Sequence, residues 1–164
     1  MLKEGKKGQI QISFGMIFSI IIIIATVAVA FYVINYFLKM NDCTKAGAFY
    51  ESLKNEVEKA YNGDITQKIF SKAVPSGVKS VCFGNLTQDY TKTDFEQHDY
   101  IEKYDIKNNV LLYPPGKACN NELASFNLVH ATTSGFFCVP VKSGAVSVKL
   151  TKGSFDILVK LSKP

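Results

Sequence analysis

Residues 14–38 form a run of 25 without a single charged side chain, and 21 of them are hydrophobic. Only Gly15, Ser19, Thr26 and Asn35 interrupt it. About 20 helical residues cross the hydrocarbon core of a bilayer, so this run can span one with room for tilt. The chain has 164 residues and is 47% hydrophobic overall. Outside the run the share falls to about 40%, ordinary for a soluble domain. Two materials are therefore joined end to end. A wholly soluble protein, a multi-spanning transporter and a disordered chain are all excluded. The roughly 100 residues beyond the run and its helical continuation suffice for one modest core.

Lys3, Lys6 and Lys7 precede the run against Glu4. A basic flank on this side places the N-terminus in the cytoplasm and the C-terminal part outside. Lys39 and Lys45 follow the run and weaken the asymmetry. A removable secretory signal is the alternative, since Ala28-Val29-Ala30 fits a small-x-small cleavage site. That triplet lies inside the apolar run, however, with more apolar and aromatic residues after it. The net charge is +5, and all 19 basic residues are Lys. Nucleic-acid and phosphate sites lean on the planar fork of Arg. No nucleic-acid partner is expected.

Lys6-Lys7-Gly8-Gln9-Ile10 sets a basic pair and a glycine directly before the long apolar helix. This junction resembles the class III signal of archaeal type IV pilins and archaellins. The resemblance implies cleavage between Gly8 and Gln9 by a prepilin peptidase, leaving the apolar helix in the mature chain. The mature fifth residue is then Ser13, where bacterial type IV pilins have Glu. It also implies the pilus assembly machinery as a partner, and a helix that passes from lipid into a bundle with copies of itself. Both surroundings demand apolar residues on every face and a backbone bonded internally. Small residues let helices approach closely, and Gly15/Ser19 and Thr26/Ala30 are each four apart. The residues expected to carry assembly are Phe14, Gly15, Ile17, Ser19, Ile22, Thr26, Val29, Ala30 and Ile34. A plain single-pass anchor needs the same composition and stays open as the alternative.

No proline or strong breaker follows until Asn62-Gly63-Asp64. Ala46, Phe49, Tyr50, Leu53, Val57, Ala60 and Tyr61 recur at steps of three and four. Lys45, Glu51, Lys54, Asn55, Glu58 and Lys59 fill the other side. The pattern predicts an amphipathic helix ending near Gly63. Gly47 is its weak point. A helix continuous over residues 9–62 is about 54 residues, or roughly 80 Å, long. Such a half-apolar, half-amphipathic helix is similar to the stem of the type IV pilin lollipop.

Beyond it the pattern changes to short strands, predicted at 65–70, 78–83, 110–113, 136–142, 146–152 and 155–162. The last three read as an antiparallel meander with one buried face, because Val146, Val148 and Leu150, then Phe155, Ile157, Val159 and Leu161, alternate with mostly polar residues. The amphipathic stripe is the natural cover for that face. Residues 94–104 read as a surface loop or short helix, and 120–130 are ambiguous. The expected fold class is α+β: a long N-terminal transmembrane and stem helix with a small antiparallel β-sheet head. Its expected divisions are a basic segment or leader (1–8), an assembly helix (9–38), an amphipathic stem (39–63) and an extracellular head (64–164).

Cys43, Cys82, Cys119 and Cys138 all follow the apolar run. An oxidising exterior permits two disulfides in one of three pairings. Cys119 with Cys138 and Cys43 with Cys82 is the preferred one. Buried thiols are an alternative, and zinc is disfavoured because no C-x-x-C spacing exists. Asn85-Leu86-Thr87 is an N-glycosylation sequon in a region expected to be a surface loop. The two histidines offer little chemistry: His98 sits in a polar segment and His130 follows an apolar one. No phosphate loop, dinucleotide fingerprint, zinc-protease motif or nucleophile elbow occurs, so no catalytic residue, metal or cofactor is expected and the chain is not expected to be an enzyme. Residues 88–105 carry a local charge of −4 and residues 139–164 a local +4. Such patches either pair within one head or orient neighbouring copies.

The expected function is structural: a subunit of an archaeal cell-surface filament, self-assembling from the membrane and serving adhesion or contact. The alternative is a membrane-anchored extracytoplasmic binding domain that does not polymerise.

Overall fold

The computed structural model describes residues 14–63, 66–85, 87–90, 92–103, 107–119 and 122–164. It is α+β, with a long apolar helix at the N-terminal side and a small domain that holds, in place of the single antiparallel sheet expected, one antiparallel and one mixed sheet. The chain divides into two compact units, Met1–Leu38 and Lys39–Pro164.

Helix α1 (Phe14–Tyr61) runs 48 residues. Its apolar stretch has a mean hydropathy of 2.9 over 18 residues, none of them buried. Length and composition make it the one helix among the described residues suited to crossing a membrane. The later turns behave differently. Ala46, Phe49, Tyr50, Leu53, Val57 and Ala60 are buried, as their spacing requires. Gly47 is accommodated within the helix without a break. At the end of α1, Lys152 Nζ donates to the carbonyls of Tyr61 and Gly63 and lies 5.2 Å from the Tyr61 ring centre. A cation there satisfies the last carbonyls and the negative end of the helix dipole.

The second unit holds two four-stranded sheets. The first has the order β1 (Thr66–Ala73), β7 (Ala145–Lys152), β8 (Val159–Ser162), β5 (Ala131–Thr133). The second has the order β4 (Ser125–Phe126), β3 (Val110–Tyr113), β2 (Ser80–Phe83), β6 (Phe137–Pro140). All pairings are antiparallel except β5 with β8. Helix α2 (Phe95–Glu102) fills the segment expected to be loop or helix.

The buried stripe of α1 shares one core with the inner faces of both sheets, including Phe70, Val146, Val148 and Leu150 from one and Val81, Phe83, Val110 and Leu112 from the other. Tyr50 stacks on Phe126 at 5.1 Å, and Phe49 meets Phe70 at 6.0 Å. A second cluster, Cys82, Ile101, Leu111, Phe136 and Cys138, lies on the other side of the second sheet. That sheet is therefore covered on both faces, which is why β2 is buried at every position instead of alternating.

Two further expectations need correction. The three C-terminal strands do not form a meander. β7 and β8 pair, but β6 belongs to the other sheet, beside β2. The chain changes sheets at Ser143-Gly144, where both residues have positive φ, and Cys138 is held opposite Cys82. Nor does the last strand begin at Phe155. Asp156 N donates to Gly153 O at 3.1 Å, and Gly153 N donates to Asp156 Oδ2 at 2.7 Å. This turn halts the ladder until Val159, so Phe155 and Ile157 are exposed rather than buried.

Candidate assembly surface

The first turns of α1 carry all nine residues expected to mediate assembly, and every one is exposed. A helix in apolar surroundings must satisfy its polar groups, and two of its hydroxyls are satisfied by its own backbone. Ser19 Oγ donates to Gly15 O at 2.8 Å, and Thr26 Oγ1 donates to Ile23 O at 2.9 Å. Both hydroxyls are thus bonded to their own backbone, as an apolar environment would require.

Gly15, Ser19, Ile22, Thr26, Val29 and Val33 follow one another at steps of four, three, four, three and four. That is the spacing of a seam in packed helices. At 100° per residue, Gly15, Ser19, Thr26, Ala30 and Val33 fall within an arc of roughly 60°. Gly, Ser, Thr and Ala are the small residues that permit close helix approach. A shallow apolar concavity of about 530 Å³ lies along this side, lined by Ala25, Thr26, Val29, Ala30, Val33 and Ile34. The structure thus brings Thr26, Val29, Ala30 and Ile34 together. Ile17 lies on the opposite side of the helix, and Phe14 is off the seam. Val33 belongs to it although composition alone does not single it out; the signal is the heptad step from Thr26. Gly8 and Gln9, the expected cleavage pair, lie outside the described residues.

The cysteines lie in the second unit. Cys43 is bonded to Cys119, with Cα atoms 4.9 Å apart, and Cys82 to Cys138, 3.9 Å apart. Two disulfides are present, but the preferred pairing is replaced. Cys82 and Cys138 are register partners on adjacent antiparallel strands, where side chains already meet. Cys119 is left to tie the turn after β3 to the helix. Asp42 reinforces that end: Ser76 N donates to Oδ1 at 2.9 Å and Ser76 Oγ to Oδ2 at 2.8 Å.

Asn85 and Thr87 are both exposed in the turn after β2; Leu86 lies outside the described residues. Asn85 N donates to Gln88 Oε1, and Gln88 N donates to Asn85 O, so the asparagine stands on a fixed turn. His98 departs from its expected exposure. It is buried, stacked on Tyr90 at 4.1 Å and edge-on to Phe136 at 5.2 Å. His130 is half-buried and stacks on Tyr61 at 3.9 Å. Both rings therefore serve packing. Among the described residues no group of three or more His, Cys, Asp or Glu could hold a metal.

Opposite charges also meet within the head. Lys163 Nζ lies 3.2 Å from Asp94 Oδ2, joining the basic C-terminal segment to the acidic one. Glu56 bonds Lys68 at 2.6 Å, which with Lys59 holds its carboxyl below the ordinary carboxylate range. No protein-family model, no curated protein and no solved structure matches this chain.

Proposed function

We propose that this chain is a non-catalytic structural subunit of an archaeal cell-surface filament of the type IV pilin kind, with an apolar assembly helix and an extracellular head. The observation that carries it is the helix surface over residues 14–38. It is exposed and predominantly apolar on every side, the Ser19 and Thr26 hydroxyls are bonded to its own backbone, and one side presents small residues at seam spacing. A lipid anchor needs the first property; the seam adds a reason for helices to meet. In this reading the N-terminus is cytoplasmic before assembly, a prepilin peptidase cuts between Gly8 and Gln9, and the assembly machinery moves the helix from membrane to filament. The heads then face outward and serve adhesion or contact. Two disulfides fit an oxidising exterior. Asn85 is then available for glycan transfer.

Intact-mass analysis of protein from its native cells, with electron microscopy of their surface, tests this. The expected result is a mature chain beginning at Gln9, carried in filaments labelled by an antibody against the head. A chain that retains Met1, on cells without labelled filaments, overturns it in favour of a non-polymerising anchored domain. Added mass on the peptide containing Asn85 reads the glycan separately.

A further inference from the structure

The turn between β7 and β8 carries an apolar knob. Phe155 is 100% exposed and Ile157 is 82% exposed. The paired hydrogen bonds between Gly153 and Asp156 fix the backbone of the turn that carries Phe155. Asp156 sits between the two and uses one carboxylate oxygen, Oδ2, in that turn. Two large apolar side chains left exposed on one short segment form a candidate contact surface.

The same head has a matching depression. A concavity of about 510 Å³ opens on the outer face of β1 and β7, with the end of β6 at its border. Ile69, Val139, Pro140 and Ala145 give it apolar walls, and Lys142 and Lys163 lie at its rim. Lys163 is engaged by Asp94, whereas Lys142 forms no ion pair among the described residues. The concavity runs along β7 from Ala145 past Ser147 to Ile69, which pairs with Lys149, and the knob follows Lys152, the last residue of the strand. Three residues, roughly 10 Å of strand, separate its near edge from the knob's turn. Phe155 and Ile157 are nonetheless exposed, so the knob does not fill the concavity of its own molecule.

We infer that the Phe155–Ile157 knob of one copy seats in the Ile69–Val139–Pro140–Ala145 concavity of a second copy, with Asp156 facing Lys142. One charge pair within the basic 139–164 segment favours this occupant: the knob carries Asp156 between its apolar residues, and the depression is lined by Lys142. The contact joins two different patches. Used in one direction only, it is heterologous and its repetition adds copies in series, whereas a reciprocal two-fold exchange of the same pair would close a dimer. This contact rests on the filament reading and specifies how the heads register.

Photo-crosslinking of the full chain in its own cells tests it, with p-benzoylphenylalanine at position 155. The expected product is a ladder of multimers whose crosslinks map by mass spectrometry to residues 139–147. Lys142→Glu, or Asp156→Asn, which keeps a side-chain oxygen to accept from Gly153 N, should lower the yield at least fivefold. Crosslinks to lipid or to another protein, or a yield indifferent to both substitutions, overturn the contact. Surface filaments are counted in parallel. Wild-type filaments without the mapped crosslink overturn the contact and leave the filament reading standing. The mapped ladder on cells without filaments supports the contact and overturns the filament reading.

Discussion

Tyr50 concentrates much of the head's chemistry in one side chain. It lies on the buried stripe of α1, stacks on Phe126, and donates its hydroxyl to Leu123 O at 3.0 Å. Burial raises its pKa well above the ordinary phenol value. Tyr113 is shifted the same way, by burial first and then by Glu96, whose Oε1 lies 3.4 Å from its hydroxyl. A phenol whose folded pKa is raised contributes stability fully present below about pH 10 and lost as pH rises from there toward the folded pKa. The unfolded chain releases a proton that the folded one keeps. Tyr50→Phe removes a buried hydrogen bond, so it should cost about 1 kcal/mol at pH 7. It should also flatten, without abolishing, the loss of stability above pH 10, since Tyr113 remains. Urea melts of wild type and variant at pH 7 and pH 10.5 check both halves. An equally steep alkaline loss in the variant would show that Tyr50 ionises freely in the fold.

At the scale of elements, what could be read from the chain depended on whether each element's cause is local. The stripe on α1 repeats every three or four residues, so its buried set from Ala46 to Ala60 follows directly. β3 was legible because four apolar or aromatic residues are stopped by Pro114-Pro115. β7 was legible because Val146, Val148 and Leu150 alternate cleanly. The same alternation misleads at Phe155 and Ile157, where a turn closed by Asp156 overrides it. The cysteine pairing and the transfer of β6 to the second sheet depend on the register of β6 with β2, across 56 residues, and no local pattern encodes that. The helix seam sits between these cases: its spacing is visible, while its partner is not. If copies pack there, Ala30→Leu should fill the space left for a neighbouring backbone. Overpacking costs about 1–3 kcal/mol at a tight contact, so filaments should become about tenfold scarcer. Ile17→Leu, on the opposite side, serves as the control for membrane insertion. Filament counts normalised to membrane-inserted protein give the comparison. Equal counts for Ala30→Leu and wild type would remove the seam from assembly.

For the whole molecule, the division at Leu38 and Lys39 has an energetic meaning. Every buried apolar residue among those described lies at Ala46 or later. The disulfides and the Asp42–Ser76 bonds also lie wholly within Lys39–Pro164. The head's stability is then set by its own core and cross-links. Closing loops as long as 76 and 56 residues contributes about 2–4 kcal/mol per disulfide. A chain of residues 39–164 should therefore fold in plain buffer, with one cooperative urea transition and a structured near-ultraviolet circular dichroism spectrum. Under reducing conditions the midpoint should fall substantially. A broad, non-cooperative transition in the oxidised chain would mean that the head depends on residues 14–38, and the division would fail. Independence of this kind suits a subunit whose apolar helix must exchange lipid for copies of itself. If that exchange alters only the solvent around residues 14–38, it leaves the buried contacts of the head unchanged. The head can then present the same knob and depression before and after assembly.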